Sequence, residues 1–225
     1  MFQSNLRLDG SSSEIPVAIN EQLTFLSGLK YQDVESFQYK IGTAPGCHEP
    51  LLYLFSRLVY ENKVKSIIEA GSGTTSIYFS ALEQKYKIKY MGLENYTEWY
   101  QKTSQAMVNF TGECRSLVFE EETLEKETFS QTEIGGIWDL LFIDSAGRSK
   151  RLEVLKSFLD RKVASPTESI IMIDDCEQNN LYDLVVDFCE KENLAKPKMF
   201  MSQSRGVAVI DPLAKIDFVE NWIRQ

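Results

Sequence analysis

Ile67-Ile68-Glu69-Ala70-Gly71-Ser72-Gly73-Thr74-Thr75-Ser76 joins a short apolar run to a glycine-rich turn and then to the start of a helical pattern. A buried strand ending in such a turn fits an open α/β sheet, where ligands bind outside the carboxyl ends of the strands. Glycine lets a backbone approach a ligand closely and take dihedrals that other residues avoid. The helix that follows offers unpaired N–H groups in its first turn. This geometry does not choose a ligand, because Gly71 and Gly73 would also serve a plain tight turn.

The acids around the turn carry more information. A dinucleotide site would read G-x-G-x-x-G, and Ser76 stands at the third glycine position. Glu69 ends the strand two positions before Gly71. A carboxylate there repels a pyrophosphate and attracts the ammonium of S-adenosylmethionine (AdoMet), directly or through water. The next apolar run, Tyr90-Met91-Gly92-Leu93, ends in Glu94. An acid about 20 residues past the glycine turn suits ribose hydroxyls, which both AdoMet and NAD carry. Asn95 and the aromatic residues Tyr96 and Trp99 follow, where an adenine would lie or where rings would simply join the core.

Outward from this segment the pattern repeats. Strands are expected at 66–69, 89–93, 116–119, 139–143, 169–173, 198–201 and 207–210, and helices at 75–84, 97–109, 149–161, 181–190 and 213–224. Unbroken apolar strands alternating with helices predict a mostly parallel sheet covered on both faces. The last two strands have no helix between them. Gln203-Ser204-Arg205-Gly206 reads as a hairpin turn, so an antiparallel strand closes the sheet. Upstream, helices are expected within 16–30 and from Leu51 to Val59, placed to cover one end of the sheet. Residues 1–40 are expected to form an arm and cap helix, and 41–225 the ligand-binding part of a single globular unit.

The 225 residues carry a formal net charge of -9, and no basic stripe suits phosphate neutralisation, so nucleic acid is not an expected partner. No apolar run reaches the roughly 20 residues needed to span a bilayer, so no membrane partner is expected either. Residues 1–13 lack the apolar core of a signal peptide. Cys47, Cys114, Cys176 and Cys189 form no C-x-x-C pair, and the chain has one histidine. These features predict reduced thiols in a cytoplasmic protein without a zinc site.

Taken together, four segments resemble the class I AdoMet-dependent methyltransferases, particularly small-molecule O-methyltransferases of the catechol and caffeoyl-CoA kind. Glu69-Ala70-Gly71-Ser72-Gly73 resembles the first motif and Glu94 the second-strand acid. Trp138-Asp139-Leu140-Leu141-Phe142-Ile143-Asp144 and Ser169-Ile170-Ile171-Met172-Ile173-Asp174-Asp175 resemble the fourth and fifth strands. The resemblance covers roughly residues 42–210. It implies a Rossmann-like seven-stranded sheet of order 3-2-1-4-5-7-6 with strand 7 antiparallel. It also implies methyl transfer to a small-molecule acceptor, with oxygen favoured and a homodimer allowed. The cofactor-binding residues expected are Glu69, Gly71, Ser72, Gly73, Ser76, Glu94, Asn95 and Asp144. Asp144-Ser145-Ala146-Gly147 departs from the common Asp-Gly-Asp-His turn and lacks its histidine.

An oxygen acceptor must lose its proton to a base or a metal. Asp144 and His48, the only histidine, are the candidate catalytic residues. Asp144, Asp174 and Asp175 are expected at adjacent strand ends, where oxygen ligands suit Mg²⁺ or another divalent cation. The same acids also suit helix capping or cofactor contact. Arg148, Lys150 and Arg151 read either as a solvated face or as a site for an anionic substrate. Gln178, Asn179 and Asn180 read as pocket lining or as a turn. Two other readings stay open: an NAD-type oxidoreductase using the same loop, and a non-catalytic protein retaining the fold.

Overall fold

The computed structural model describes residues 49–94, 100–101, 103–104, 116–118, 134, 136–145, 150–202, 205–216 and 223–224. Among the described residues, four helices with full ranges frame the sheet: α1 (Glu49–Tyr60), α2 (Thr74–Tyr86), α3 (Arg151–Asp160) and α4 (Leu181–Lys191). The strands are β1 (Ser66–Ala70), β2 (Lys89–Glu94), β3 (Ser116–Val118), β4 (Leu140–Ile143), β5 (Ile170–Ile173), β6 (Lys198–Ser202), β7 (Arg205–Ile210) and β8 (Ile223–Arg224). They lie in the order β3-β2-β1-β4-β5-β7-β6-β8. The first five pair in parallel, and β7 runs antiparallel to both β5 and β6.

The apolar runs have two buried faces because consecutive side chains point to opposite sides of a strand. Ile67, Leu140, Phe142, Ile170, Met172, Val207 and Val209 share one core with α1 and α2. Ile68, Ala70, Leu141, Ile143, Ile171, Ile173, Ala208 and Ile210 share the other with α3 and α4. The helical spacing of Leu51, Leu54, Phe55 and Leu58 puts α1 against a sheet face, where Phe55 meets Phe79 at 4.7 Å and Phe142 at 5.4 Å between ring centres. The expectation that this helix covers an end of the sheet is corrected accordingly.

Two boundaries also change. Arg205 and Gly206 belong to β7, with Ser202 paired to Arg205, so the connection is the two residues 203–204 rather than a four-residue turn. The helix expected at 213–224 is not formed by its described residues. Ala214 takes a positive φ of 50°, and the Ile216 N–H donates to Asp211 Oδ2 at 2.8 Å, which closes a turn after Pro212. Ile223 and Arg224 then pair with Phe200 and Met199 as an eighth strand. The N-terminal arm, the helix within 16–30 and the His48 loop lie outside the described residues. No helix among the described residues is long and apolar enough to cross a membrane.

At the amino ends of β1 and β4, Asp139 Oδ2 accepts from the Lys65 N–H at 2.7 Å and the Ser66 N–H at 3.0 Å. The Asp139 N–H donates back to Ser66 Oγ at 2.9 Å. This reciprocal link sets the register of the two central strands from the end opposite the glycine turn. Asp139→Ala is expected to remove about 1–3 kcal/mol of stability in urea unfolding, the worth of charged hydrogen bonds to two backbone N–H groups.

Candidate functional site

The site grows from the place where the sheet changes direction. From β1 the chain runs to β2 and β3 on one side, and β4 returns on the other, so a crevice opens above β1 and β4. The Gly71 N–H donates to Leu93 O at 2.7 Å, and the Asp144 N–H donates to Ala70 O at 2.7 Å. The three strand ends are thereby held together. Gly71 has φ 100°, and a Cβ there would stand 2.6 Å from Asp144 C and Ser145 N. Only glycine lets the turn press against β4 this closely.

Ser72 links the turn to the second strand. Its N–H and its Oγ both donate to Glu94 Oε2, at 2.8 and 2.9 Å. Glu94 is 4% exposed, and the paired bonds orient its carboxylate at the end of β2. The structure thus brings Gly71, Ser72 and Glu94 together as the sequence suggests. Asn95 lies outside the described residues.

Glu69 takes a different place from the one expected. It is wholly buried beneath the turn, where Tyr90 Oη and Ser76 Oγ each donate to Oε2 at 2.6 Å and Thr75 Oγ1 donates to Oε1. Ser76 Oγ in turn accepts from the Gly73 N–H at 3.0 Å. Ser76 is therefore a relay between the turn's backbone and the buried acid. Burial raises the Glu69 pKa from 4.5 to about 7, against the hydroxyl donors, and the Glu94 charge adds to the rise. Glu69 thus supports the turn from below.

Thr75, Tyr90 and Gly92 were not singled out in the sequence. A Cβ on Gly92 would stand 2.5 Å from Tyr90 Oη, so the glycine makes room for the hydroxyl that reaches Glu69. The readable signal was a glycine two residues after a tyrosine on the same strand face.

Asp144, Asp174 and Asp175 do converge at the ends of β4 and β5, with one oxygen of each within 4.8 Å of the others. Arg151 lies among them. It is 4% exposed, and its Nη2 donates to Asp144 Oδ1 and Asp175 Oδ2, each at 3.0 Å. Its Nη1 donates to Asp174 O. Arg151 is thus a buried, paired cation, where the sequence suggests a solvated face or a site for an anionic substrate. Desolvation and the like charge of Asp174 hold the Asp144 pKa well above the usual carboxylate range, and Arg151 opposes them. The Asp144 side chain is 39% exposed, so charge crowding is the firmer of the two causes.

Neighbouring groups have simpler parts. Ser145 Oγ is buried and has no hydrogen-bond partner among the described residues. Asn179 and Asn180 adopt left-handed conformations, and with Gln178 they form an exposed turn before α4. Cys176 donates its thiol to Ile173 O at 3.2 Å, and burial pushes its pKa up to about 12. Burial also pushes Cys189 up to about 12. Neither thiol is a nucleophile near neutral pH.

No protein-family model matches the chain, and no curated protein matches it. Solved structures do. The SAH-bound Podospora anserina methyltransferase PaMTH1 is 14% identical, with a TM-score of 0.59 over 89% of this chain and 96% of that one. A Bacillus cereus O-methyltransferase in complex with SAH is 13% identical, with a TM-score of 0.59 over 88% and 98%. The Streptomyces achromogenes O-methyltransferase TomG, involved in tomaymycin synthesis and solved with SAM, is 14% identical, with a TM-score of 0.55 over 89% and 98%. At these identities the likeness is one of fold: this chain has the Rossmann-like α/β fold of solved methyltransferases.

Proposed function

We propose that the protein is an AdoMet-dependent methyltransferase acting on a small molecule, with oxygen as the acceptor atom. The observation that carries this reading is the Ser72–Glu94 pairing above Gly71 at the point where the sheet reverses. It presents an oriented acid to ribose hydroxyls and leaves the turn without side-chain bulk. The three related structures named above include two with SAH and one with SAM.

The residues present fit the cofactor. Glu94 would hold the ribose, and the Gly71–Gly73 turn would face the amino-acid portion. The buried Ser145 hydroxyl, without a partner among the described residues, offers one more polar contact. Asn95 belongs to the proposed adenosine wall by its place after Glu94. When bound, AdoMet supplies a methyl group already activated by its sulfonium. The chain's own work is to align the acceptor and exclude water. Asp144, the exposed acid at the β4 end, would receive the acceptor's proton, and His48 is the second candidate base.

Calorimetry with S-adenosylhomocysteine and with NAD tests the reading. Binding of S-adenosylhomocysteine alone is expected, and binding of NAD alone would overturn the proposal in favour of an oxidoreductase. Glu94→Ala is expected to weaken S-adenosylhomocysteine by about 1–3 kcal/mol, the worth of charged hydrogen bonds. Unchanged affinity would remove Glu94 from the site.

A further inference from the structure

We propose that the guanidinium of Arg151 is the resident cation of the Asp144/Asp174/Asp175 cluster, in the place a divalent metal would otherwise take. Three convergent carboxylates are a donor set suited to a hard cation. In this chain one nitrogen, Nη2, already bridges Asp144 Oδ1 and Asp175 Oδ2 at equal distances of 3.0 Å. An ion shared by those two oxygens would have to occupy the space of that nitrogen. Nη1 adds the bond to Asp174 O, so a single side chain ties the end of β4 to the turn after β5.

The arginine is not a passing neighbour of the cluster. It begins α3, and Arg151, Val154, Leu155 and Phe158 make up the buried face of that helix. Its side chain is 5% exposed, so swinging it into water would open a gap at the top of the core. Guanidinium stays charged at every pH a protein survives, and its planar fork suits carboxylates better than a lysine would. A dication brought beside it would meet a fixed like charge at close range. The residues therefore do not fit a metal bridging Asp144 and Asp175, and Arg151 is a positioning residue that holds the two acids in register. This inference does not depend on the methyltransferase reading.

Metal titration of the EDTA-treated full chain decides it, using MgCl₂, CaCl₂ and MnCl₂ with calorimetry and the Mn²⁺ electron-spin signal as readouts. Wild type is expected to show no saturable binding and no rise in Tm with metal. Arg151→Met is expected to lower Tm and to gain Mn²⁺ binding by roughly tenfold or more, with Tm partly restored by the ion. Arg151→Lys should keep a cation in place and gain none. Saturable metal binding by wild type, including a dication on the outward oxygens of Asp144, would overturn the proposal. So would a folded Arg151→Met variant that gains no metal binding. If that variant does not fold, the wild-type titration decides alone. S-adenosylhomocysteine binding in the same samples separates the two readings, because its absence strikes the methyltransferase proposal and leaves the metal result intact.

Discussion

Gly71→Ala is expected to cost more than about 3 kcal/mol in urea unfolding and to abolish detectable S-adenosylhomocysteine binding. Two separate penalties fall on the same carbon. The first is conformational, because φ is 100° and an L-residue rarely adopts it. The second is steric: the new methyl would lie 2.6 Å from Asp144 C and Ser145 N and 2.7 Å from Asp144 O. Those are backbone atoms of a strand end, and the Asp144 N–H is itself bonded to Ala70 O, so they have little freedom to retreat. Relief would require parting β1 from β4, which widens the floor of the proposed cofactor crevice. Gly136→Ala is the matched control. Its φ is 90°, but a Cβ there meets nothing within 4 Å, so it carries the conformational penalty without the steric one. If the two variants lose equal stability, close approach at Gly71 is not what the turn requires.

The features legible in the sequence were those set by short-range pattern. Apolar runs of strand length alternating with helical periods located the strands on both sides of β1. The glycine turn lay where β1 ends, and Ser72, Glu94 and Asp144 lie at strand ends as their sequence positions imply. The 213–224 segment misled because its apolar spacing suits a helix while its surroundings do not. An edge strand, β6, offers unpaired backbone groups, and pairing with Ile223 and Arg224 satisfies some of them. Pro212 and the Asp211 side chain meanwhile favour a turn at the start of the segment. Periodicity carries no information about such a partner.

Side-chain direction was harder to read than strand position. Glu69 ends a strand, and a strand-end acid normally faces solvent or ligand. Here Thr75, Ser76 and Tyr90 supply three hydroxyl donors around it, and those donors come from two other elements. Arg151 shows the reverse case, because its signal was local and readable. Positions 151, 154, 155 and 158 follow the spacing of one helix face, and a buried arginine at the head of an otherwise apolar stripe needs an acid to meet it. Asp144 and Asp175 are the acids it meets. Reading the arginine together with the three aspartates would have balanced some of the charge that the acids alone left unexplained.

Stability is expected to fall by about 3 kcal/mol between pH 4.5 and pH 7 through Glu69 alone. Its folded pKa is about 7, against an ordinary 4.5, so the folded chain binds a proton there more tightly than the unfolded chain does. Below pH 4.5 both states are protonated and the acid contributes no slope. Between 4.5 and 7 the unfolded chain has released its proton while the folded chain still holds one, so each step up in pH favours unfolding. Above 7 both are ionised and the loss is complete. The carboxylate is wholly buried, so solvent does little to screen this cost. The hydroxyls of Ser76, Thr75 and Tyr90 limit it, and without them burial would raise the pKa further. Glu69→Gln removes the titration while keeping the shape. The stability of wild type relative to Glu69→Gln, followed by urea unfolding from pH 4 to 8, should therefore decline through this window and level off beyond it. Asp144 also titrates high and lends both proteins a slope of the same sign, which cancels in the difference except for the part of its rise that the Glu69 charge itself contributes. Parallel curves for the two proteins would mean that Glu69 keeps an ordinary pKa and that the three hydroxyls fully offset its burial.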